Sequence, residues 1–313
     1  MQKLVYCTVR LKPELRSKLE KYARVFELGE ESPAPDLAKV EVLMCGPITP
    51  QELDAMKNLE LIQCVYAGVD ALPWSHVRED VIVASNAGSN ADAVAEHAFA
   101  LLLAAAKRVV FFDSRIRGGN FEIVGESRML HGRRICVLGL GAIGTRVAEI
   151  AKAFKMHVVG YGRSLRGAAP LDEFYTPDRV EDALRGCDYA VIALPLTKHT
   201  RGLINYQRLS LMRRDGILVN IGRAQIVVKE DLARFLRENP SFIYANDVWW
   251  SMQNPAEDSD VYSLPNTLST PWVAGAASAR ETYEEMLRQA VENVVRYLRG
   301  EKPLNIVKHE DYR

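Results

Sequence analysis

Short apolar runs rich in β-branched residues alternate along this 313-residue chain with stretches whose apolar positions recur every three or four residues. The first pattern reads as buried strand and the second as amphipathic helix. Strands are predicted at Leu4–Thr8, Arg24–Glu27, Val42–Cys45, Leu61–Val65 and Ile82–Ser85, with helices over Glu14–Tyr22 and Gln51–Met56. That alternation implies a small parallel-sheet domain. It has no glycine fingerprint, so its expected contribution is a substrate-facing loop at a strand's carboxyl end, Tyr66-Ala67-Gly68-Val69-Asp70.

From Asp92 to Arg115 the pattern becomes one long Ala- and Leu-rich helix, too apolar to lie alone in water. A core helix and a subunit interface both fit it, and the two can coexist. After a lead-in over Phe121–His131 the alternation resumes. Strands are predicted at Arg134–Leu138, His157–Gly160, Tyr189–Leu194, Ile217–Ile221, Phe242–Ala245 and Thr267–Thr270. Helices are predicted at Ile143–Phe154, Val180–Leu184, Tyr206–Met212 and Lys229–Glu238. Ser251–Leu264 is polar, proline-containing and irregular, the mark of a functional or covering loop. Ala279–Arg299 reads as a final helix, and Pro303–Val307 is expected to return to the first domain. The result is α/β, two doubly wound parallel sheets, with crossings near Gly88 and Pro271. Residues 1–88 with 272–313 form one domain, 89–271 the inserted one, and the cleft between them is the expected active site.

The inserted domain opens with the stretch that carries the chemistry, Gly139-Leu140-Gly141-Ala142-Ile143-Gly144 between a strand and a helix. The first glycine permits the tight turn, the second lets backbone approach a pyrophosphate, and the third lets helix and strand pack closely. Unpaired N–H groups at the helix N-terminus then face the anion. The second strand ends in Tyr161-Gly162-Arg163-Ser164-Leu165-Arg166, with glycine where NAD enzymes usually carry an acidic residue for the ribose hydroxyls. No carboxylate is left to repel a 2′-phosphate, while Arg163 can pair with it and Ser164 can donate a hydrogen bond. The expected cofactor is therefore NADP or NAD, with NADP slightly favoured.

Charge and composition narrow the partners. Forty basic and forty acidic residues cancel, which argues against a nucleic-acid partner or an anionic membrane surface. The start has no cleavable signal pattern, and the longest apolar stretch, Ala98–Ala106, is too short to span a bilayer. Five widely spaced cysteines, mostly within apolar runs, look like buried thiols of a cytoplasmic, reducing compartment. The six histidines show no regular metal-ligand spacing, and no metal is expected.

With these elements placed, the chain resembles the D-isomer-specific 2-hydroxyacid dehydrogenase family over nearly its whole length. The resemblance rests on Ala67-Gly68-Val69-Asp70, Asn86–Glu96 (NAGSNADAVAE), the GLGAIG loop and Leu194–Leu203 (LPLTKHTRGL). It continues through Asn220-Ile221-Gly222-Arg223, Asp247-Val248-Trp249, and Pro271 followed by Val273-Ala274-Gly275. It implies a Rossmann-type nucleotide domain inserted in a flavodoxin-like substrate domain, usually in a homodimer, here through the 92–118 region. The implied reaction interconverts a small 2-oxoacid and its D-2-hydroxyacid using NAD(P).

The resemblance implies that Arg223 binds the substrate carboxylate and the 2-oxo oxygen, opposite backbone amides around Tyr66, Ala67, Gly68 and Val69. It assigns Gly139, Gly141, Ala142, Ile143, Gly144, Leu194, Pro195, Thr200, Ile221, Gly222 and Asp247 to the nucleotide. Two departures stand out. The glycine usual after the arginine is Ala224, and the family's glutamate–histidine acid/base pair is missing. Met252 and Gln253 stand near the glutamate's place and Trp272 in the histidine's. An indole N–H donates a hydrogen bond but does not titrate usefully, so a histidine from elsewhere, His97 first, becomes a candidate proton source beside its plain role on the helix. No extra basic cluster accompanies Arg223, which favours a small monocarboxylate such as glyoxylate or hydroxypyruvate. The alternative is a dinucleotide-responsive binding or regulatory protein that kept the pocket and lost turnover.

Overall fold

The computed structural model describes residues 2–29, 36–165, 169–251, 254–275 and 279–313. Arg166, Met252 and Gln253 lie outside them. The chain forms two compact units, Met1–Asn90 with Ala279–Arg313, and Ala91–Ser278. The second unit runs past the expected boundary at 271 because the segment after Thr270 is hydrogen-bonded back to Asp247 within it.

In the first unit, strands β1 (Lys3–Cys7), β2 (Ala23–Glu27), β3 (Val42–Cys45), β4 (Leu61–Cys64) and β5 (Ile82–Ala84) pair in parallel in the order β2-β1-β3-β4-β5. This is the flavodoxin-like order. One face is covered by helix Arg280–Leu298, whose Leu287, Ala290, Val291 and Val294 join Leu19, Val5, Val25 and Val42 in one cluster. The opposite face packs Leu53, Met56 and Trp74 on Tyr6, Leu43 and Ile62. Each large aliphatic side chain fully buried this way contributes roughly 1.5–3 kcal/mol. Helix Pro50–Ala55 begins with a capping box, Thr49 and Glu52 bonding each other's backbone amides. The C-terminal segment does return to this unit. Val307 N–H donates to the Val83 carbonyl at 2.9 Å, and Ile306 bridges Ala84.

Among the described residues the second unit holds seven parallel strands, β6 (Arg134–Leu138), β7 (His157–Tyr161), β8 (Glu173–Tyr175), β9 (Tyr189–Ile192), β10 (Ile217–Asn220), β11 (Ile243–Asn246) and β12 (Thr267–Ser269). Their order is β12-β11-β10-β9-β6-β7-β8. The chain winds outward from β6 to β8, then returns to β9 on the other side of β6, a Rossmann-type order with its switch point between β6 and β9. On one face Val94, Ala98 and Leu102 of helix Ala91–Lys107 share a cluster with Val147, Ala148 and Ala151 of helix Ala142–Ala153. The small side chains of Ala98, Ala148 and Ala151 let the two helices approach closely.

Three local differences from the sequence reading have physical causes. The single helix expected over Asp92–Arg115 is two, Ala91–Lys107 and Val109–Arg117, because Arg108 takes a left-handed φ of +55°. That residue stacks its guanidinium 3.9 Å from the Phe111 ring and donates to the Val124 carbonyl at 3.0 Å. Strand β8 has no counterpart among the predicted strands. It is anchored by Glu173, which accepts a bidentate pair from Arg134 and a 2.7 Å bond with His157. The Arg134 pairing, aided by the Tyr175 hydroxyl, holds the Glu173 carboxyl well below the usual carboxylate range. Finally, the covering loop Ser251–Leu264 contains regular turns at Pro255–Asp258 and Ser259–Tyr262. The buried Asp258 carboxylate accepts the Trp250 and Ser251 amides, each at 3.0 Å. Among the described residues no helix is long and apolar enough to cross a membrane.

Candidate active site

The carboxyl ends of the second unit's strands gather the predicted nucleotide residues. Gly139 follows β6 with φ +103°, and a Cβ there would stand 2.8 Å from the Ala193 backbone. At Gly144 a Cβ would overlap the Gly139 carbonyl, so the helix can sit on its strand only with glycine. Gly141 is the contrasting case, since a Cβ there meets nothing within 4 Å. It is also the N-cap of helix Ala142–Ala153, with no side-chain cap for the first amides, including those of Ala142 and Ile143. Open space in front of uncapped amides fits a pyrophosphate.

The neighbouring strand ends complete this edge. Past β7, Gly162 N–H bonds the Tyr175 carbonyl at 3.1 Å, and Arg163 and Ser164 are exposed. Past β9, Leu194 is half-buried and Pro195 exposed. Thr200 Oγ1 staples that loop, donating to the Pro195 carbonyl at 2.6 Å and accepting the Thr197 amide at 2.9 Å. Past β10, Ile221 is buried, and Gly222 leaves no room for a Cβ, which would lie 2.8 Å from the Leu194 carbonyl.

Arg223 is fixed by a turn built on Asn220. The Asn220 carboxamide accepts the Gly222 amide and donates to the Arg223 carbonyl, both at 3.1 Å, and its Nδ2 also meets the buried Tyr244 hydroxyl at 3.3 Å. Burial pushes that phenol's pKa up. The Arg223 backbone is extended, its side chain half-buried, and its Nη1 donates to the Gly222 carbonyl at 2.8 Å. Ala224, in place of the usual glycine, is fully buried at the start of the turn Ala224–Ile226.

Asp247, just past β11, is 1% exposed. Its Oδ1 accepts the Thr270 hydroxyl at 2.6 Å and the Val273 amide at 2.9 Å, and Oδ2 accepts the Ala274 amide at 2.8 Å. Trp272, inside this loop, is 47% exposed and holds φ +59°. For a bulky residue that conformation costs roughly 1–3 kcal/mol and persists only where its surroundings fix it. Trp249 also ties the loop, its indole N–H donating to the Thr270 carbonyl at 3.1 Å. His97 enters from helix Ala91–Lys107, with Nε2 3.0 Å from Thr270 Oγ1 and 3.7 Å from Asp247 Oδ1. Sequence reasoning singles out His97 but not this connection.

In the first unit, Tyr66, Ala67, Gly68 and Val69 follow β4 at its carboxyl end. Tyr66 is exposed and Val69 buried. Asn86 orders the segment, bonding the Tyr66 carbonyl through its amide at 3.0 Å and the Val65 carbonyl through Nδ2 at 2.9 Å. All five cysteines are buried and unbridged, and no potential metal-ligand group occurs among the described residues.

Residues 99–274 match the family model for the D-isomer specific 2-hydroxyacid dehydrogenase NAD binding domain. The chain is 34% identical to a glyoxylate reductase of Pyrococcus furiosus, covering 88% of this chain and 83% of that one. It is 32% identical to the glyoxylate reductase of Aeropyrum pernix over 98% of this chain and 96% of the relative. Among solved structures, a provisionally assigned formate dehydrogenase from Pyrobaculum aerophilum is similar at 42% identity and a TM-score of 0.91, covering 98% and 99% of the two chains. The chain therefore belongs to the D-isomer-specific 2-hydroxyacid dehydrogenase family, as a dehydrogenase-type oxidoreductase built for a nicotinamide dinucleotide.

Proposed function

We propose that this protein reduces a small 2-oxoacid of the glyoxylate or hydroxypyruvate type to its D-2-hydroxyacid, using NADPH or NADH. The observation that carries the reading is Arg223 at the carboxyl end of β10, on the same sheet edge as the uncapped glycine loop. A guanidinium there can hold the substrate carboxylate bidentately and stabilise negative charge developing on the 2-oxo oxygen. Bound reduced nicotinamide supplies the hydride, and the balanced reaction also consumes one proton, delivered to that oxygen. The glyoxylate reductases named above support the choice of substrate class. Loss of the reduced nicotinamide absorbance band across a panel of 2-oxoacids tests it. A clear preference for a phosphorylated acid overturns the small-substrate reading, and binding without turnover favours a regulatory protein.

The exposed Arg163 and Ser164 beyond β7, with no acidic residue at Gly162, support NADP(H) binding at least as tightly as NAD(H). Arg163→Ala is expected to weaken NADPH by about 10- to 100-fold, the worth of a charged hydrogen bond, while leaving NADH nearly unchanged. Titration of both reduced nucleotides at one salt concentration checks this, and equal losses would remove Arg163 from the phosphate's site.

A second copy of the chain is the proposed partner, through the 92–118 region. Val109, Val110 and Ile116 there are about half-exposed, continuing into Phe121 at 76% and Ile123 at 89%. An apolar surface of that extent is the mark of an interface. Val110→Asp with Ile116→Asp is expected to yield a monomer by light scattering, since surface changes alone alter stability by only about 0.5 kcal/mol. An unaltered dimer in that variant would place the interface elsewhere.

A further inference from the structure

We propose that Asp247 acts as a positioning residue for Trp272, and that the indole it fixes sets how bulky a 2-oxoacid the site accepts. The proposal rests on the oxoacid-reductase reading and extends it.

The carboxylate has four acceptor directions. Three are taken by donors of one loop, the Thr270 hydroxyl and the Val273 and Ala274 amides, which flank Trp272 on both sides. Two successive amides converge on one anion where a residue beside them turns left-handed, the geometry of a backbone nest. Trp272 is that residue, at φ +59°. The strain at a bulky side chain and the convergence of donors are thus two sides of one arrangement.

A second connection braces the carboxylate. The Thr270 hydroxyl donates to Asp247 at 2.6 Å, so its oxygen accepts from His97, 3.0 Å away, which assigns a proton to His97 Nε2. The chain from His97 through Thr270 to Asp247 ties the loop to helix Ala91–Lys107. Trp272 itself is 47% exposed, a large flat surface held on rigid backbone. Such a surface excludes substituents by size, where even one methylene changes discrimination by about 10- to 200-fold.

The test is a cycle of wild type, Asp247→Ala, Trp272→Gly and the double variant, with Asp247→Asn as the milder substitute where alanine fails to fold. The first readout is the ratio of kcat/KM for phenylpyruvate over glyoxylate. Trp272→Gly is expected to raise it about tenfold or more. Asp247→Ala is expected to raise it in the wild-type background and to add nothing further in the Trp272→Gly background, the non-additivity of two residues acting as one. The second readout is acrylamide quenching and emission of Trp272, obtained by difference against Trp272→Phe, which Asp247→Ala and Thr270→Val are both expected to shift. An Asp247 variant that weakens nucleotide binding but leaves the ratio and the Trp272 signal unchanged would overturn the proposal. If wild type turns over neither acid, the function reading fails, while the fluorescence still decides whether Asp247 holds the indole.

Discussion

Arg223→Ala is expected to leave nucleotide binding intact and to remove nearly all reduction of a 2-oxoacid. The side chain sits on a short, well-braced turn, since Asn220 holds the backbone on both sides of it. In the proposed role the guanidinium holds both the carboxylate and the oxygen on which charge develops, so its loss would fall on ground state and transition state alike. Removing one partner of a desolvated charge pair typically costs about 2–5 kcal/mol. As transition-state energy this is roughly a 30- to 5,000-fold fall in kcat/KM. Arg223→Lys keeps the charge but not the planar fork, and is expected to recover only part of the loss. Initial rates over a range of glyoxylate, with NADPH affinity measured by its fluorescence, separate the two effects. An unchanged kcat/KM in the alanine variant would rule out this role, and a parallel loss of NADPH binding would point to damage of the Gly222 turn instead.

The parts of this site legible in the sequence are those where backbone geometry dictates residue type. Gly139 and Gly144 are written as glycine because any Cβ would collide with backbone, and such constraints repeat at fixed spacing. Arg223 and Asp247 are legible through the family resemblance and through their position just after apolar strands. What stays hidden depends on groups far apart in sequence. The break at Arg108 carries no glycine or proline, and rests on a stacked Phe111 and a carbonyl at Val124. Strand β8 is three residues long, too short for any periodicity, and is held by Arg134 from another strand. His97 and Thr270 are 173 positions apart, so only the packing of a helix beside β12's loop joins them. The left-handed turn at Trp272 is equally silent, since nothing in a tryptophan announces a positive φ.

Turnover of ordinary small 2-oxoacids is expected to be well below that of relatives with the glutamate–histidine pair, by the roughly 10²- to 10⁴-fold that general acid catalysis supplies. A neutral indole at position 272 is a poor proton source. His97, the histidine that reaches this loop, has Nε2 engaged with Thr270. On the reading that water rather than a side chain supplies the proton, kcat/KM is expected to show no ionisation near neutral pH. Trp272→His alone is expected to give little, because an imidazole without a carboxylate partner lacks the group that orients it. The backbone at 272 also stays in its left-handed turn, held by the Asp247 carboxylate. The fairer variant adds Met252→Glu, so that both residue types of the pair are present, and is expected to raise kcat and bring in a neutral-pH ionisation together. The His97→Gln variant completes the set, since it should leave the wild-type pH profile unchanged. Brisk wild-type turnover with an ionisation near pH 7 that disappears in His97→Gln would instead make that histidine the proton donor, and would end the account of an impaired acid/base site.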